Sequence, residues 1–304
     1  MVDDNAVTVV VAVRNGEPFI GEAVQSALAQ GDTVRSVIVV DDGSTDSTLA
    51  SVAALDSRRV TAVSNPGRGV SAARNFGASL ADTKWLLFLD ADDRLVGGGL
   101  ASLLDAAGRE RRAIVAYGDY ERINRTGQRI GRRFLVRSRS KPSGDILPQL
   151  IRGNFIINGG IAIVDRAAFW SSEGFDSRLS LCEDWHLWCK LAASGPFVYT
   201  AERVMDYREH DGSVMMTRFR DYADFEPALI RIFNEESVLA KLPPHDVALA
   251  RREAEVSLMT YCATQAIRHG ALSPGLRIAR QAMRRYRARV PWVMLRLAGA
   301  VARI

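Results

Sequence analysis

Trp85-Leu86-Leu87-Phe88-Leu89-Asp90-Ala91-Asp92-Asp93 joins five large apolar residues to three carboxylates within four positions. An apolar run without alternation suits a strand buried on both faces of a parallel sheet. In open α/β sheets ligands bind beyond the carboxyl ends of the strands, where these acids fall. Crowded carboxylates repel, and hard oxygen ligands at a strand end suit Mg²⁺ or Mn²⁺ bridging to phosphate oxygens. A solvated acidic turn is the other reading of this stretch.

The flanking sequence repeats the pattern. Val7 to Val13 and Val34 to Val40 read as buried strands rich in β-branched residues, and Arg59 to Ser64 as a third, shorter one. Helical spacing covers Phe19 to Ala29, the stretch through Leu49 and Leu55, and Val70 to Ala81. Strand and helix thus alternate up to Trp85, the signature of a parallel sheet with right-handed crossovers. The second strand also ends in acids, Asp41-Asp42-Gly43-Ser44-Thr45-Asp46. A dinucleotide fingerprint would place GxGxxG after the first strand, but Arg14-Asn15-Gly16-Glu17 stands there, and no GxxxxGK[ST] occurs.

Composition narrows the classes. The chain has 304 residues, 47% of them hydrophobic, and a net charge of +5. Nine arginines and no acidic residue lie between Arg268 and Ile304, so the basicity belongs to the tail and the remainder is net acidic. Cys182, Cys189 and Cys262 form no CxxC pair, which argues for a reducing compartment and against a zinc site. Met1-Val2-Asp3-Asp4 opens the chain without an apolar segment, and no run approaches the roughly 20 residues that span a bilayer. A cytoplasmic protein is expected, with peripheral contact at the inner face of a membrane.

Four motifs in order, Val11-Ala12-Val13-Arg14-Asn15, Val40 to Asp46, Gly69-Val70-Ser71-Ala72-Ala73-Arg74-Asn75-Phe76-Gly77 and Leu89 to Asp93, resemble the family 2 inverting glycosyltransferases of GT-A fold. The first strand ends in Ala12-Val13-Arg14-Asn15 where that family usually has Pro-Tyr-Asn. The resemblance implies a Rossmann-like, mostly parallel sheet flanked by helices, with Ala12, Val13, Arg14, Asn15 and Asp42 (or Asp41) holding the nucleotide base. Arg74 would approach the diphosphate or the aspartates, with a helix-surface residue as the alternative. Asp90 and Ala91 would lie at the ribose, and Asp92 would ligate the metal, with Asp93 as a second ligand. Mn²⁺ or Mg²⁺ is the implied cofactor.

Beyond residue 95 the signals thin. Leu100 to Ala107 reads as a helix, Ala113 to Gly118 as a strand, and Asp119 to Arg133 as a hairpin around Asn124 to Gly127. Eleven basic residues against three acidic ones between Arg109 and Lys141 make either a solvated surface or a rim for an anionic acceptor. Asn158, ahead of a strand, is either a sugar contact or a turn residue. Leu181-Cys182-Glu183-Asp184-Trp185 starts a helix, where carboxylates gain from the dipole. The block also resembles the family's Glu-Asp motif, which makes Asp184 the general base, Glu183 a supporting or acceptor-contacting residue, and Trp185 a sugar-stacking or core aromatic. Tyr207 to Val214 resembles the family's His-x-x-Ser tail, which implies that His210 would complete the metal or diphosphate site, with an ordinary surface histidine as the alternative; Arg208 and Ser213 are weaker candidates on a closing loop.

The expected organisation is a catalytic domain over 1–215, with a nucleotide-binding half to about residue 95 and an acceptor half beyond, then helices over 216–304. Pro243-Pro244 and Ser273-Pro274-Gly275 are read as breaks between those helices. The helical region is a candidate homodimer surface, and its basic, Trp-containing end suits an anionic membrane interface. No nucleic-acid motif accompanies the arginines. The expected activity is transfer of a sugar from a nucleotide diphosphate sugar, a UDP-sugar foremost, to a saccharide or lipid-linked acceptor. A nucleotidyltransferase of similar fold and an inactive saccharide- or nucleotide-sugar-binding relative are the alternatives.

Overall fold

A computed structural model of the protein describes residues 6–130, 141–210 and 220–301. The expected boundary at 215, Ser213, and Arg132, Arg133, Arg137 and Arg139 of the basic stretch lie outside them.

The elements run β1 (Val7–Val13), α1 (Ile20–Leu28), β2 (Val34–Asp41), α2 (Thr48–Ala53), β3 (Val60–Ser64), α3 (Val70–Ser79), β4 (Trp85–Asp90), β5 (Arg94–Leu95), α4 (Gly99–Arg109) and β6 (Val115–Ile123). There follow α5 (Leu147–Leu150), β7 (Ala162–Asp165), α6 (Arg166–Ser171), α7 (Glu183–Ser194) and β8 (Phe197–Arg208). Helices complete the chain: α8 (Tyr222–Ile232), α9 (Glu236–Leu239), α10 (Pro244–Arg268), α11 (Leu272–Arg285) and α12 (Val290–Val301). The described residues fall into two compact units, one of 6–146 with 156–210, the other of 147–155 with the helices after 220. Residues 147–155, expected in the catalytic domain, thus group with the C-terminal helices.

Among the described residues eight strands make one sheet, in the order β3-β2-β1-β4-β7-β6-β8-β5. The first four are mutually parallel, as the strand–helix alternation predicts, while β7 and β5 run against their neighbours. β1 is buried almost throughout because β2 and β4 flank it and helices cover its faces. Register carries the functional consequence: Ala12 pairs with both Val40 and Asp90, and Val13 pairs with Asp41. The acid tips of β2 and β4 therefore sit at one edge of the sheet, on either side of the end of β1.

Glycine allows one close approach that matters for the site. A Cβ at Gly77 would stand 2.4 Å from Val10 Cγ1, so only glycine lets α3 lie this low on β1 and β2. The helical unit departs from its sequence reading in one respect. Ser273-Pro274-Gly275 forms the first turn of α11, where proline's missing N–H costs nothing. Among the described residues no helix is long and apolar enough to cross a membrane.

Candidate active site

At the tip of β4, Asp90, Asp92 and Asp93 bring one carboxylate oxygen each to within 4.8 Å of one another. Each acid is held differently. Asp90 Oδ1 accepts from Arg74 Nη2 at 2.7 Å, and Asp92 Oδ2 lies 3.0 Å from His210 Nε2. Asp93 is buried and accepts from the Arg208 backbone N–H at 2.7 Å and from Asn158 Nδ2 at 2.8 Å. Burial, then the charge of Asp90, raises the Asp92 carboxyl above its usual range, against the pull of His210. Burial, with the charges of Asp92 and Asp90, raises Asp93 much further. Carboxylates raised by burial and then by one another's charge are short of positive charge, and the grouped donors are hard carboxylate oxygens, with the His210 imidazole beside Asp92. These residues fit Mg²⁺ or Mn²⁺.

Arg74 connects this tip to the start of α7. Its guanidinium is buried, gives Nη2 to Asp90, and gives Nη1 to Glu183 Oε1 at 2.8 Å across 109 positions. The Phe175 ring covers it at 5.2 Å. Burial pulls the guanidinium's pKa down, but the two carboxylates outweigh it and hold the charge firmly in place. The helix-surface reading of Arg74 is excluded by this burial. Gly77, one turn on, lets α3 sink far enough for the arginine to reach both partners.

Glu183 and Asp184 occupy the first turn of α7, after Cys182 in the left-handed region at φ 55°. Asp184 Oδ1 accepts from the Trp185 N–H at 2.6 Å. Burial, then the charge of Glu183, raises the Asp184 carboxyl to about 8; the Trp185 N–H and Arg74 pull it back. A carboxyl poised near neutrality beside a fixed guanidinium can exchange a proton with a hydroxyl.

The loops after β1 and β2 are stitched together. Asn15 has φ 54°, its N–H donates to Ser44 Oγ at 2.8 Å, and its Oδ1 accepts from Thr45 N at 2.8 Å. The buried Asp41 accepts from Ser44 N at 3.1 Å. Asp42 accepts from Asn65 Nδ2 at 2.7 Å and from Gly69 N at 2.9 Å, which fixes it between the β3–α3 loop and the end of β1. Val13 is buried beneath these loops, and Arg14 is exposed above them.

Two residues expected at the sugar have other surroundings. Trp185 is 1% exposed, because the first turn of α7 directs its ring into the core, and no face is open for stacking. Asn158 is buried with both amide ends committed: Nδ2 to Asp93, and Oδ1 accepting from Gly160 N at 3.0 Å. Its place follows from the glycines after it, since a Cβ at Gly159 would stand 2.6 Å from the Phe88 carbonyl. Asn158 supports the acid tip from below. Arg208, expected on a closing loop, ends β8 and is 2% exposed. Glu22, which no motif marks, is its partner. Several described side chains of the basic stretch are ion-paired, among them Lys141 with Asp119 and Arg129 with Glu121 at 2.8 Å each, which favours its reading as a solvated surface.

Residues 8–172 match the sequence profile described as Glycosyl transferase family 2. Succinoglycan biosynthesis protein ExoO of Rhizobium meliloti (strain 1021) is 30% identical over 230 residues, which are 72% of this chain and 65% of that protein. Chondroitin synthase of Escherichia coli is 28% identical over 196 residues, 63% of this chain and 27% of that protein. The chain therefore spans less than two thirds of the length of either relative. The structure of S. aureus TarS 1–349 in complex with UDP-GlcNAc superposes with a TM-score of 0.61 at 16% identity, covering 97% of this chain and 89% of that one. That likeness establishes the GT-A fold. With the profile matched over more than half its length, the chain belongs to glycosyl transferase family 2.

Proposed function

We propose that the protein is a metal-dependent, inverting glycosyltransferase that moves a sugar from a nucleotide diphosphate sugar, a UDP-sugar foremost, to an acceptor hydroxyl in polysaccharide, glycolipid or other glycoconjugate synthesis. One observation carries the reading: Arg74 bridges Asp90 and Glu183, tying the acid tip of β4 to the turn that holds Asp184. Donor side and base side then belong to one site.

Asp42, pinned by Asn65 and Gly69, faces the base, and Asp90 faces the ribose. Asp92 and His210 would hold Mg²⁺ or Mn²⁺, which when bound supplies Lewis-acid stabilisation of the departing diphosphate. Asp184 takes the proton of the acceptor hydroxyl as its oxygen attacks the anomeric carbon. The new C–O bond forms opposite the bond to phosphate, which breaks with its electron pair going to the nucleoside diphosphate, so configuration inverts. The saccharide-synthesis setting is supported by the names of the relatives, and the UDP donor by the ligand of the structural neighbour.

The test separates binding from chemistry. Asp92→Ala is expected to lose metal-dependent UDP binding in calorimetry, whereas Asp184→Asn keeps that binding and loses transfer by about 10²–10⁴-fold. Transfer by Asp184→Asn near the wild-type rate would remove the base assignment.

We also propose a lipid contact on the helical unit. Leu272 and Leu276 of α11 are at least half exposed beside Arg277, Arg280 and Arg284, a composition that suits an anionic bilayer surface. Flotation with phosphatidylglycerol vesicles but not phosphatidylcholine vesicles is expected, and equal recovery with both would refute it.

A further inference from the structure

Arg208 spends its donors on protein. Nε donates to the Asp92 carbonyl at 2.8 Å, Nη1 to the Arg125 carbonyl at 3.0 Å, and Nη2 to Glu22 on α1. Its backbone N–H donates to Asp93 Oδ1. The guanidinium packs on the Phe19 ring at 4.8 Å, and Phe19 in turn packs on His210 with ring centroids 4.6 Å apart. One residue thus contacts two members of the acid cluster, Asp92 and Asp93, and through one ring the His210 that lies against Asp92. Glu22 also accepts from Arg94, which binds Asp206 on β8, so the carboxylate is a second anchor between α1 and the end of β8.

We infer that Arg208 and Glu22 are a positioning pair for the diphosphate site: they clamp the Asp90–Asp93 turn to the end of β8, so that the Asp92 carboxylate and His210 are presented together. The inference rests on reading that cluster as the metal–diphosphate site. Arg208 is buried with each of its three nitrogens bonded to protein, so it acts through the residues it holds. A guanidinium suits the task since it stays charged when buried and spreads its N–H groups in one plane. An ammonium has one nitrogen and cannot reach the Asp92 carbonyl, the Arg125 carbonyl and Glu22 at once. Outer partners of this kind are worth about 10–100-fold in metal affinity.

The experiment measures UDP binding by calorimetry with and without Mn²⁺, beside thermal melting, for wild type, Arg208→Lys, Arg208→Met and Glu22→Gln. Arg59→Met is the control: it also removes a guanidinium bound to backbone carbonyls, those of Gly31, Val34 and Leu28, but at the far side of β2. Arg208→Lys and Arg208→Met are expected to weaken Mn²⁺-dependent UDP binding about 10-fold or more, and Glu22→Gln about 3-fold, with metal-independent binding changed far less. Arg59→Met is expected to lower the melting temperature and leave both affinities alone. Unchanged Mn²⁺-dependent affinity in Arg208→Lys and Glu22→Gln overturns the inference, as does an equal loss in Arg59→Met. Glu22 lies at the surface, so its variant keeps the test decisive if an Arg208 variant fails to fold. Wild-type UDP binding that ignores Mn²⁺ would instead overturn the underlying reading of the site.

Discussion

Replacing Glu183 by glutamine should make the enzyme faster at neutral pH. The charge of Glu183 is, after burial, the largest influence raising the Asp184 carboxyl to about 8. With that value, about one Asp184 in eleven is ionised at pH 7 and competent as a base. The glutamine side chain keeps an oxygen to accept from Arg74 Nη1 but removes a like charge from the neighbouring position. A close charge is worth about 1–3 units, and the low end brings Asp184 to about 7. Half the enzyme is then ionised, so kcat/KM at pH 7 should rise about fivefold while the high-pH plateau stays put. Arg74 acts in the same direction, because a guanidinium no longer neutralised by Glu183 lowers Asp184 further. The assay is nucleoside diphosphate release from pH 5.5 to 9.5 at constant ionic strength, plotted as log kcat/KM. A rising limb that stays in place or moves to higher pH refutes the electrostatic account. A uniform loss at every pH would instead put Glu183 in contact with the acceptor.

Two further outcomes follow from the same geometry. Because folding raises Asp184 from 3.8 to about 8, the folded chain binds this proton more tightly than the unfolded chain, so stability from this group is full below about 4 and is lost as pH climbs toward 8. Asp184→Asn should therefore melt several degrees higher than wild type at pH 8.5, a gain of ~1–3 kcal/mol once partial solvent access is allowed for, and the gap should close at pH 4; a gap independent of pH would count against the shift. Gly159→Ala forces a Cβ to 2.6 Å from the Phe88 backbone, so a loss of ~1–3 kcal/mol in urea unfolding is expected together with weaker Mn²⁺-dependent UDP binding, and a variant that keeps both would show that Asn158 does not depend on this close approach.

The sheet edge was legible because its signals are local. Buried β-branched runs and the acids that end them are contiguous in sequence, and parallel order forces β2 and β4 to end on the same side of β1. Asp90, Asp92 and Asp93 were found together for that reason, and with them Asp41 and Asp42 at the end of β2; that Asp42 accepts from Asn65 and Gly69 of the loop after β3 left no mark in the sequence. What the sequence left open depends on depth. Nothing in Glu183-Asp184-Trp185 says that the third side chain turns into the core, and nothing in Asn158-Gly159-Gly160 says that Phe88 lies beneath the first glycine. Arg74 was readable as a surface residue because an arginine on a helix usually is one; only Gly77 next to it hints that the helix sinks. Glu22 left no trace, since its partner is 186 positions away.

Two buried guanidiniums hold the site from different sides, and the difference matters for how it works. Arg74 bonds carboxylates only, Asp90 and Glu183, and its charge is felt by Asp184, where it opposes the burial and the Glu183 charge that raise that carboxyl. Arg208 bonds three carbonyls, those of Asp92, Asn124 and Arg125, and a carboxylate, and reaches Asp93 through its backbone, so its work is mechanical: it fixes where the acid turn lies. The bonds they make have no atom in common. Weakening the first should therefore appear in the pH dependence of turnover, and weakening the second in the affinity for the donor diphosphate. On the proposed reading, a site that holds a diphosphate beside a carboxylate base needs both controls, since moving the acids closer to Asp184 would raise its pKa and moving them away would loosen the donor. The Asp90 contact with Arg74 is where the two demands meet: it anchors one end of the acid turn and at the same time shields the base from that turn's charge.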